Sequence, residues 1–127
     1  MQIDKVKEFH DSFGIATNKT LSPDIGKKDY ELRHRLLEEE NNEYLEACEN
    51  KDIVEIADAL GDQLYIILGT ILKHGLQDYM KPVFDQIHDS NMSKLDEKGN
   101  PILREDGKIL KGKKYFKPDI ESILFKK

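Results

Sequence analysis

The sequence predicts an all-α fold: a helical bundle of four to five helices completed by dimerisation, with a short irregular or hairpin C-terminal arm. Apolar residues recur at helical spacing through most of the first 90 positions. After residue 92 this periodicity gives way to turn signals around short apolar pieces. The length of 127 residues suits one domain, so we expect a single domain over residues 1–127, with 92–127 as the arm.

The first helix is expected over residues 2–12, where Ile3, Val6 and Phe9 lie on one helical face. Glycine, proline and small polar residues then predict a loop over residues 14–29.

The second and third helices are expected at about 29–49 and 53–74, joined by a tight turn. Asp52 suits an N-cap, and with Glu55 it has the form of a capping box. Gly75 suits the end of the third helix.

A fourth, shorter helix is expected over 78–89, which requires Pro82 to lie near its first turn. In the arm, turn signals at 99–101 and 106–107 suit a small hairpin.

Charge divides the chain into an acidic body, with −9 over residues 1–91, and a basic arm, with +4 over residues 92–127. An acidic body argues against nucleic acid as a partner, but it permits cations on the body and a polyanion at the arm. The sequence has no apolar run of membrane-spanning length and no signal-peptide pattern at its start. A single cysteine, Cys48, excludes an internal disulfide, and we therefore expect a cytoplasmic protein.

Six glutamates occur in the second helix without a lysine or arginine among them: Glu38, Glu39, Glu40, Glu43, Glu46 and Glu49. Like charges one helical turn apart destabilise a helix by roughly 0.2–0.5 kcal/mol per pair. A bound divalent cation would offset this repulsion, whereas a solvated helix face is the simpler alternative.

The third helix carries acids opposite its apolar stripe, at Glu55, Asp58 and Asp62. Their side continues as apolar residues, Tyr65 and Ile66, so we expect this helix to be covered on both sides. A helix this apolar needs more cover than one hairpin offers, which predicts at least a homodimer. Buried carboxylates need a metal or cationic partners. Glu55 acting only as a capping residue, or pairing of the aspartates with lysines, is the alternative.

An antiparallel hairpin centred on residues 50–51 places the acids of the two helices at matching heights. The resulting level pairs are Glu46 with Glu55, Glu43 with Asp58, and Glu39 with Asp62. Helix rotation is left open, so Glu38 or Glu40 could replace Glu39. Opposed carboxylates are the hard oxygen ligands that Mg²⁺ prefers.

These residues resemble a known signature. Glu39-Glu40-x-x-Glu43 followed by Glu55-x-x-Asp58 is similar to the E-E-x-x-E…E-x-x-D motif of the all-α nucleotide pyrophosphohydrolases, which include MazG-like proteins, dimeric dUTPases and phosphoribosyl-ATP pyrophosphohydrolase. The segment 83–94 and the lysines after it resemble the phosphoribosyl-ATP pyrophosphohydrolase-like branch.

The resemblance implies a dimeric helical bundle that uses Mg²⁺, with Mn²⁺ as a substitute. It implies hydrolysis of the α–β phosphoanhydride of a (deoxy)nucleoside triphosphate to a monophosphate and pyrophosphate. The implied metal ligands are Glu39, Glu40, Glu43, Glu55 and Asp58, with Glu39 or Glu40 also as general base. The implied substrate-binding residues are Asn91, Lys94, Lys114 and Tyr115. Many MazG-like relatives carry a glutamate where this chain has Ala59, so Asp62 is kept as an additional ligand.

Two other functions fit parts of the sequence. A di-iron carboxylate bundle would use Glu31-x-x-His34, with Asp85-x-x-His88 as a near miss, although neither lies level with the acidic hairpin. A non-catalytic helical partner protein would use the apolar third helix for dimerisation and the acids for solubility.

Overall fold

A computed structural model describes residues 2–125 of the chain. It confirms the predicted all-α class, because helices account for most of the described residues and the strands form only a short hairpin. The elements are α1 (Gln2–Ser12), α2 (Lys27–Glu49), α3 (Ile53–Lys73), α4 (Met80–Met92), β1 (Ile102–Leu103), β2 (Ile109–Leu110) and α5 (Ile120–Leu124). Within residues 2–125, no helix is both long enough and apolar enough to cross a bilayer.

The described residues form two compact units, one ending at Gln77 and the other starting at Asp78. The first unit contains α1, α2 and α3, and the second contains α4, the hairpin and α5. The expectation of one domain over residues 1–127 stays a prediction.

The α2–α3 hairpin is the main element of the first unit, and its turn forms as predicted. Asp52 caps α3, since its Oδ1 accepts hydrogen bonds from the backbone N–H groups of Val54 and Glu55, both at 3.1 Å. The helix ends at Lys73, and Gly75 follows with a φ of 69°. A side chain at Gly75 would also collide with the carbonyl of Thr20, so both conformation and space favour glycine there.

The core of the first unit lies where α1 and α2 pack against α3. Val6 of α1 and Leu72 of α3 are its most buried large side chains. The loop after α1 is held against the end of α3, because Asn18 Nδ2 donates to the carbonyl of Lys73 at 2.6 Å and Gln77 Nε2 donates to the carbonyl of Asn18 at 2.9 Å. These bonds fix α1 and its loop on the end of the hairpin that is far from the turn.

Within the single chain, α3 is covered on one side, so cover on both sides, which the homodimer would complete, stays a prediction. Its acidic side faces α2, but its apolar stripe lies open. The exposed fractions are 73% for Ile53, 49% for Leu60, 49% for Leu64 and 43% for Ile67. Within residues 2–77, α1 and α2 contact the other side of α3, through Phe9 against Tyr65 and through Arg33 against Thr70.

In the second unit, α4 starts and ends two to three residues later than the predicted 78–89. Pro82 is its third residue, where the missing N–H would have no partner within the helix in any case. Ser90 is buried near the end of α4, and its Oγ donates to the carbonyl of Phe116 at 2.8 Å.

The arm after α4 forms the predicted hairpin, in which β1 and β2 pair antiparallel with Ile102 opposite Leu110. The predicted four to five helices included no bounds for α5. Asp119 caps it by accepting from the backbone N–H of Ser122 at 3.2 Å, and the N–H of Asp119 itself donates to Gln86 Oε1 at 3.1 Å. This short helix therefore depends on a contact with α4 that spacing alone does not indicate.

Candidate metal and active site

The facing carboxylates of α2 and α3 meet at a cavity of about 450 Å³ next to the hairpin turn. We call it the acidic cavity, and its lining residues are Glu43, Glu46, Ala47, Asn50, Glu55, Asp58 and Ala59. Two of the predicted level pairs, Glu46 with Glu55 and Glu43 with Asp58, therefore line one space. The antiparallel register predicted from the turn is confirmed at this end of the hairpin.

Small residues allow the two helices to approach closely at the cavity. Ala47 on α2 and Ala59 on α3 are both buried and both line it. Ala59, at the position where the resemblance implied a glutamate, supplies an apolar wall instead of a ligand. Any oxygen ligands in the cavity must come from the acids around it.

A second layer of acids lies one helical turn farther from the hairpin turn, at Glu40 and Asp62. Burial raises the pKa of Glu40 to about 7, helped by a hydrogen bond with Glu43 and by the negative charges of Asp62, Glu43 and Asp58. Burial, Asp58 and Glu43 raise the pKa of Asp62 in the same direction. These four carboxyl groups therefore act on one another, and Glu40 is the glutamate that interacts with Asp62.

The fit of a divalent cation can be judged from the partners of these acids. Glu40 Oε2 is buried without a hydrogen-bond partner. Within residues 2–125, no lysine or arginine forms an ion pair with Glu40, Glu43, Asp58 or Asp62. This excludes, for the described chain, the alternative that lysines neutralise the aspartates. Uncompensated carboxylate oxygens suit a hard cation such as Mg²⁺.

The side chains do not yet converge on one point. No group of three Asp, Glu, His or Cys residues among the described positions is placed to hold a metal ion. Glutamate has three rotatable side-chain bonds with which these carboxylates could converge on a cation. The donor types therefore fit Mg²⁺, and binding requires side-chain rotation.

Glu55 has no capping role that would compete with a ligand role. A capping box requires its side chain to accept from the backbone N–H of Asp52. That N–H donates instead to the carbonyl of Ala47 at 3.1 Å. Glu55 is exposed and lines the acidic cavity.

Glu39 is exposed and does not line the acidic cavity, so its role as ligand or base stays a prediction. Glu38 lines a separate, shallow cavity together with His34. Glu31 interacts with Lys27 at 3.8 Å, and no histidine lines the acidic cavity. The arrangement of the described residues therefore does not favour the di-iron alternative.

The predicted substrate-binding residues lie in the second unit. Asn91 is exposed at the end of α4, and its carbonyl accepts from the N–H of Lys94 at 3.2 Å. Lys114 is exposed, and the Nζ of Lys111 lies 4.7 Å from the ring centroid of Tyr115. Their roles toward a nucleotide stay predictions.

A second cavity, not predicted from the sequence, lies at the other end of the hairpin. We call it the basic cavity because His10, Arg33 and Lys73 line it. One signal was present: Lys73 is the only lysine or arginine in the apolar α3 sequence. A lone cation on such a helix needs a partner elsewhere in the fold.

Comparison with known proteins agrees with the geometry. The family model for phosphoribosyl-ATP pyrophosphohydrolase matches residues 6–91, which is more than half of the chain. The chain belongs to this family, within the MazG-like all-α pyrophosphohydrolase superfamily. The family points to a pyrophosphohydrolase that acts on nucleotide-like substrates. No curated protein sequence matches the chain significantly. The matched region contains all the acids of the hairpin and ends at Asn91, so Lys94, Lys114 and Tyr115 lie beyond it.

Proposed function

We propose that this chain is a Mg²⁺-dependent hydrolase that cleaves the α–β phosphoanhydride of a (deoxy)nucleoside triphosphate to a nucleoside monophosphate and pyrophosphate. The observation that carries the proposal is the pair of opposed carboxylate layers on α2 and α3, which have no cationic partner within the described chain. Membership of the pyrophosphohydrolase family supports the reaction class.

Glu43 and Asp58 are the central ligands in this proposal, because both line the acidic cavity and both interact with the second layer. Glu55 and Glu40 complete the set from either side, and Asp62 lies beside Glu40. Mg²⁺, when bound, would neutralise phosphate charge and offset the repulsion among these acids. Glu39 is kept as a ligand that would have to rotate inward.

Glu40 is the better candidate for the general base. Its Oε2 is buried and has no hydrogen-bond partner within the described chain, so this oxygen is available to accept a proton from water. The attacking water would lose this proton as its oxygen bonds to a phosphorus of the α–β anhydride, while the P–O bond to the bridging oxygen breaks in line with the attack and releases the leaving group. Glu39 is the alternative base.

The basic arm is proposed to contact the polyanionic part of the substrate. Asn91, Lys94, Lys114 and Tyr115 are candidates for the sugar and phosphates, on the grounds of charge and hydrogen-bonding groups. Arm residues would change affinity more than chemistry, because phosphate charge is largely compensated at the metal.

A homodimer in the cytoplasm completes the proposal. The open stripe of α3, which includes Ile53, Leu60, Leu64 and Ile67, is the apolar surface that a second copy would cover. Light scattering should give twice the mass of the 14.7 kDa chain, and a monomer at micromolar concentration would contradict the dimer.

The direct test is a pyrophosphate-release assay across the common nucleoside triphosphates, with Mg²⁺ and with EDTA. Glu43→Gln should lower the rate roughly 100-fold or more, because it removes a charged ligand while keeping the shape of the side chain. Glu49→Gln is the matched control, since Glu49 lies on the same helix, is exposed and does not line the acidic cavity. Full activity in Glu43→Gln, or activity that EDTA leaves unchanged, would contradict the proposal.

A further inference from the structure

The basic cavity lies where α1, α2 and α3 meet, and its volume is about 530 Å³. Most of its surface is apolar, from residues such as Phe9, Ile15, Leu32 and Leu36. Its polar groups come mainly from His10, Arg33 and Lys73, with Asp29 beside them. The cavity thus combines apolar walls with a small cationic region.

Hydrogen bonds fix the orientation of the Arg33 guanidinium but leave some of its N–H donors without a partner. Its Nε donates to Thr70 Oγ1 at 3.0 Å, and its Nη2 donates to the carbonyl of Ile66 at 2.8 Å. Its Nη1 has no hydrogen-bond partner among residues 2–125, although the side chain lines the cavity. An oriented guanidinium with unused N–H donors is suited to bind an acceptor atom of a ligand.

His10 is the second unused polar group. The residue is 2% exposed, and its Nδ1 is buried without a partner. Burial lowers the pKa of His10, and the charges of Arg33 and Lys73 lower it further, so the ring is neutral at pH 7. A neutral imidazole offers one donor and one acceptor.

Lys73, by contrast, has its partners within the chain. Its Nζ donates to the carbonyl of Ala16 at 3.1 Å and lies 3.4 Å from Asp29 Oδ2. The polar contacts of Lys73 are therefore made within the chain, whereas Arg33 and His10 are the groups available to a ligand.

Gly69 makes room for this pair. A Cβ at Gly69 would lie 2.6 Å from Arg33 Nη2 and 2.7 Å from His10 Nε2. Both polar groups therefore approach the α3 backbone more closely than any larger residue at position 69 would allow.

The aromatic and aliphatic walls favour an apolar ring over a free anion. The rings of Phe9 and Tyr65 meet edge to face with centroids 5.5 Å apart, and Tyr65 also lines the cavity. A phosphate group would lose much of its hydration against such walls. A planar ring with a hydrogen-bond acceptor on its edge satisfies both the walls and Arg33.

We propose that the basic cavity binds the base of the nucleotide, and that Arg33 and His10 select bases with a ring carbonyl oxygen over adenine. This inference rests on the proposed function and names the substrate class of that site. Leu36 and Tyr65 of the basic cavity each lie seven residues from the acidic cavity, at Glu43 and Asp58, which is about 10 Å along either helix. A sugar and its first phosphate suit a gap of this size.

The selection follows from the donor-only chemistry of arginine. Uracil, thymine, guanine and cytosine each present a carbonyl oxygen that can accept from Arg33 Nη1, and adenine presents none. In uracil, thymine and guanine a ring N–H stands next to a carbonyl and can meet the acceptor nitrogen of neutral His10. A base that leaves these groups unpaired loses affinity by roughly ten-fold or more.

The test is calorimetric titration with the 5′-monophosphates of uridine, thymidine, guanosine and adenosine, in EDTA so that neither the metal nor the reaction contributes. The carbonyl bases should bind roughly ten-fold or more tightly than adenosine monophosphate. Arg33→Lys, which keeps the charge but not the oriented N–H groups, should remove most of that preference. Equal affinity for all four, tighter binding of adenosine monophosphate, or no binding of any would overturn the inference.

A measurement on the unaltered protein guards against a misfolded Arg33→Lys variant. On addition of uridine monophosphate, the amide resonances of Gly14 and Gly69 should shift more than that of Glu46; shifts confined to the acidic cavity would contradict base binding. Glu43→Gln should keep the base preference while losing hydrolysis. Base preference without pyrophosphate release in the unaltered protein would overturn the proposed function alone, and release without preference would overturn only this inference.

Discussion

The two ends of the α2–α3 hairpin differ in whether their charges have partners. Far from the turn, Arg33 donates to Thr70 and to the backbone, and the buried Lys73 contacts Asp29 and the carbonyl of Ala16. Near the turn, the carboxylates have no cationic partner within the described chain, and Glu40 Oε2 has no hydrogen bond. Paired charges stabilise the fold, whereas unpaired charges destabilise it until a ligand binds. Removing charge at the two ends should therefore have opposite effects on stability.

The largest effect is expected at the paired end. Lys73→Met keeps the length and apolar part of the side chain but leaves the carbonyl of Ala16 without its donor and Asp29 without its cation. The free energy of unfolding should fall by about 2–3 kcal/mol, measured by urea denaturation. Lys81→Met is the matched control, since Lys81 pairs with Asp85 at 3.1 Å in an exposed position, and its loss should stay within about 0.5 kcal/mol. Equal losses of unfolding free energy in Lys73→Met and Lys81→Met would contradict the conclusion that the charge of Lys73 stabilises the fold.

A smaller effect of opposite sign is expected at the unpaired end. Glu40→Gln removes one charge from the repelling carboxylates while keeping the side-chain shape. In EDTA at pH 8, the variant should be more stable than the unaltered protein by about 1 kcal/mol after solvent screening. Its pyrophosphate release should nevertheless fall. A destabilised Glu40→Gln variant would show that the charge of Glu40 has a partner after all.

The same pair of proteins gives a pH test. Burial and neighbouring acids raise the pKa of Glu40 from 4.5 to about 7, so the folded state binds more protons than the unfolded state between these values. The stability that Glu40 contributes is therefore present below pH 4.5 and is lost as the pH rises through 7. His10 acts in the opposite direction below pH 6.5, because its pKa is lowered, but it does so in both proteins. The stability advantage of Glu40→Gln should be absent at pH 4 and present at pH 8; an advantage that does not change with pH would contradict the assignment.

The smallest effect separates capping from ligand binding at the turn. Asp52→Ala removes the cap of α3 and should cost about 0.5–1 kcal/mol. Glu55→Gln should cost less than about 0.3 kcal/mol, because Glu55 makes no return bond to Asp52. Glu55→Gln should lower activity, whereas Asp52→Ala should change it little at a temperature where the variant stays folded. The reverse pattern would restore Glu55 to a structural role.

Local signals explain why much of the hairpin could be predicted from the sequence. The cap at Asp52 and the stop at Gly75 each depend on residues within a few positions, and both formed as expected. The turn then determined which acids lie level, because antiparallel helices rise equally on both sides of it. The level pairs of the acidic cavity follow from this geometry alone.

Other features depend on contacts that spacing does not encode. Glutamates occupy positions 38, 39 and 40 in succession, so only the packed rotation of α2 determines that Glu40 interacts with Asp62. The basic cavity requires α1 to pack on α3 beside α2. The predicted bounds of α4 differed from the observed ones because its N-cap, Tyr79, makes no side-chain cap bond, so the sequence holds no capping signal at the start of the helix. The open stripe of α3 shows that an apolar pattern predicts a buried helix face but does not identify the element that packs against it.

The central claim is that the unpaired carboxylates of α2 and α3 bind a divalent cation, and the most direct test is the unfolding temperature in increasing Mg²⁺. NaCl at equal ionic strength should be measured in parallel, with Asp58→Asn as the variant. The account predicts a saturable rise in the unfolding temperature with Mg²⁺ beyond that in NaCl, and its loss in Asp58→Asn. If Mg²⁺ and NaCl give the same curve in the unaltered protein, or if Asp58→Asn responds to Mg²⁺ as strongly as the unaltered chain, these acids do not form a metal site.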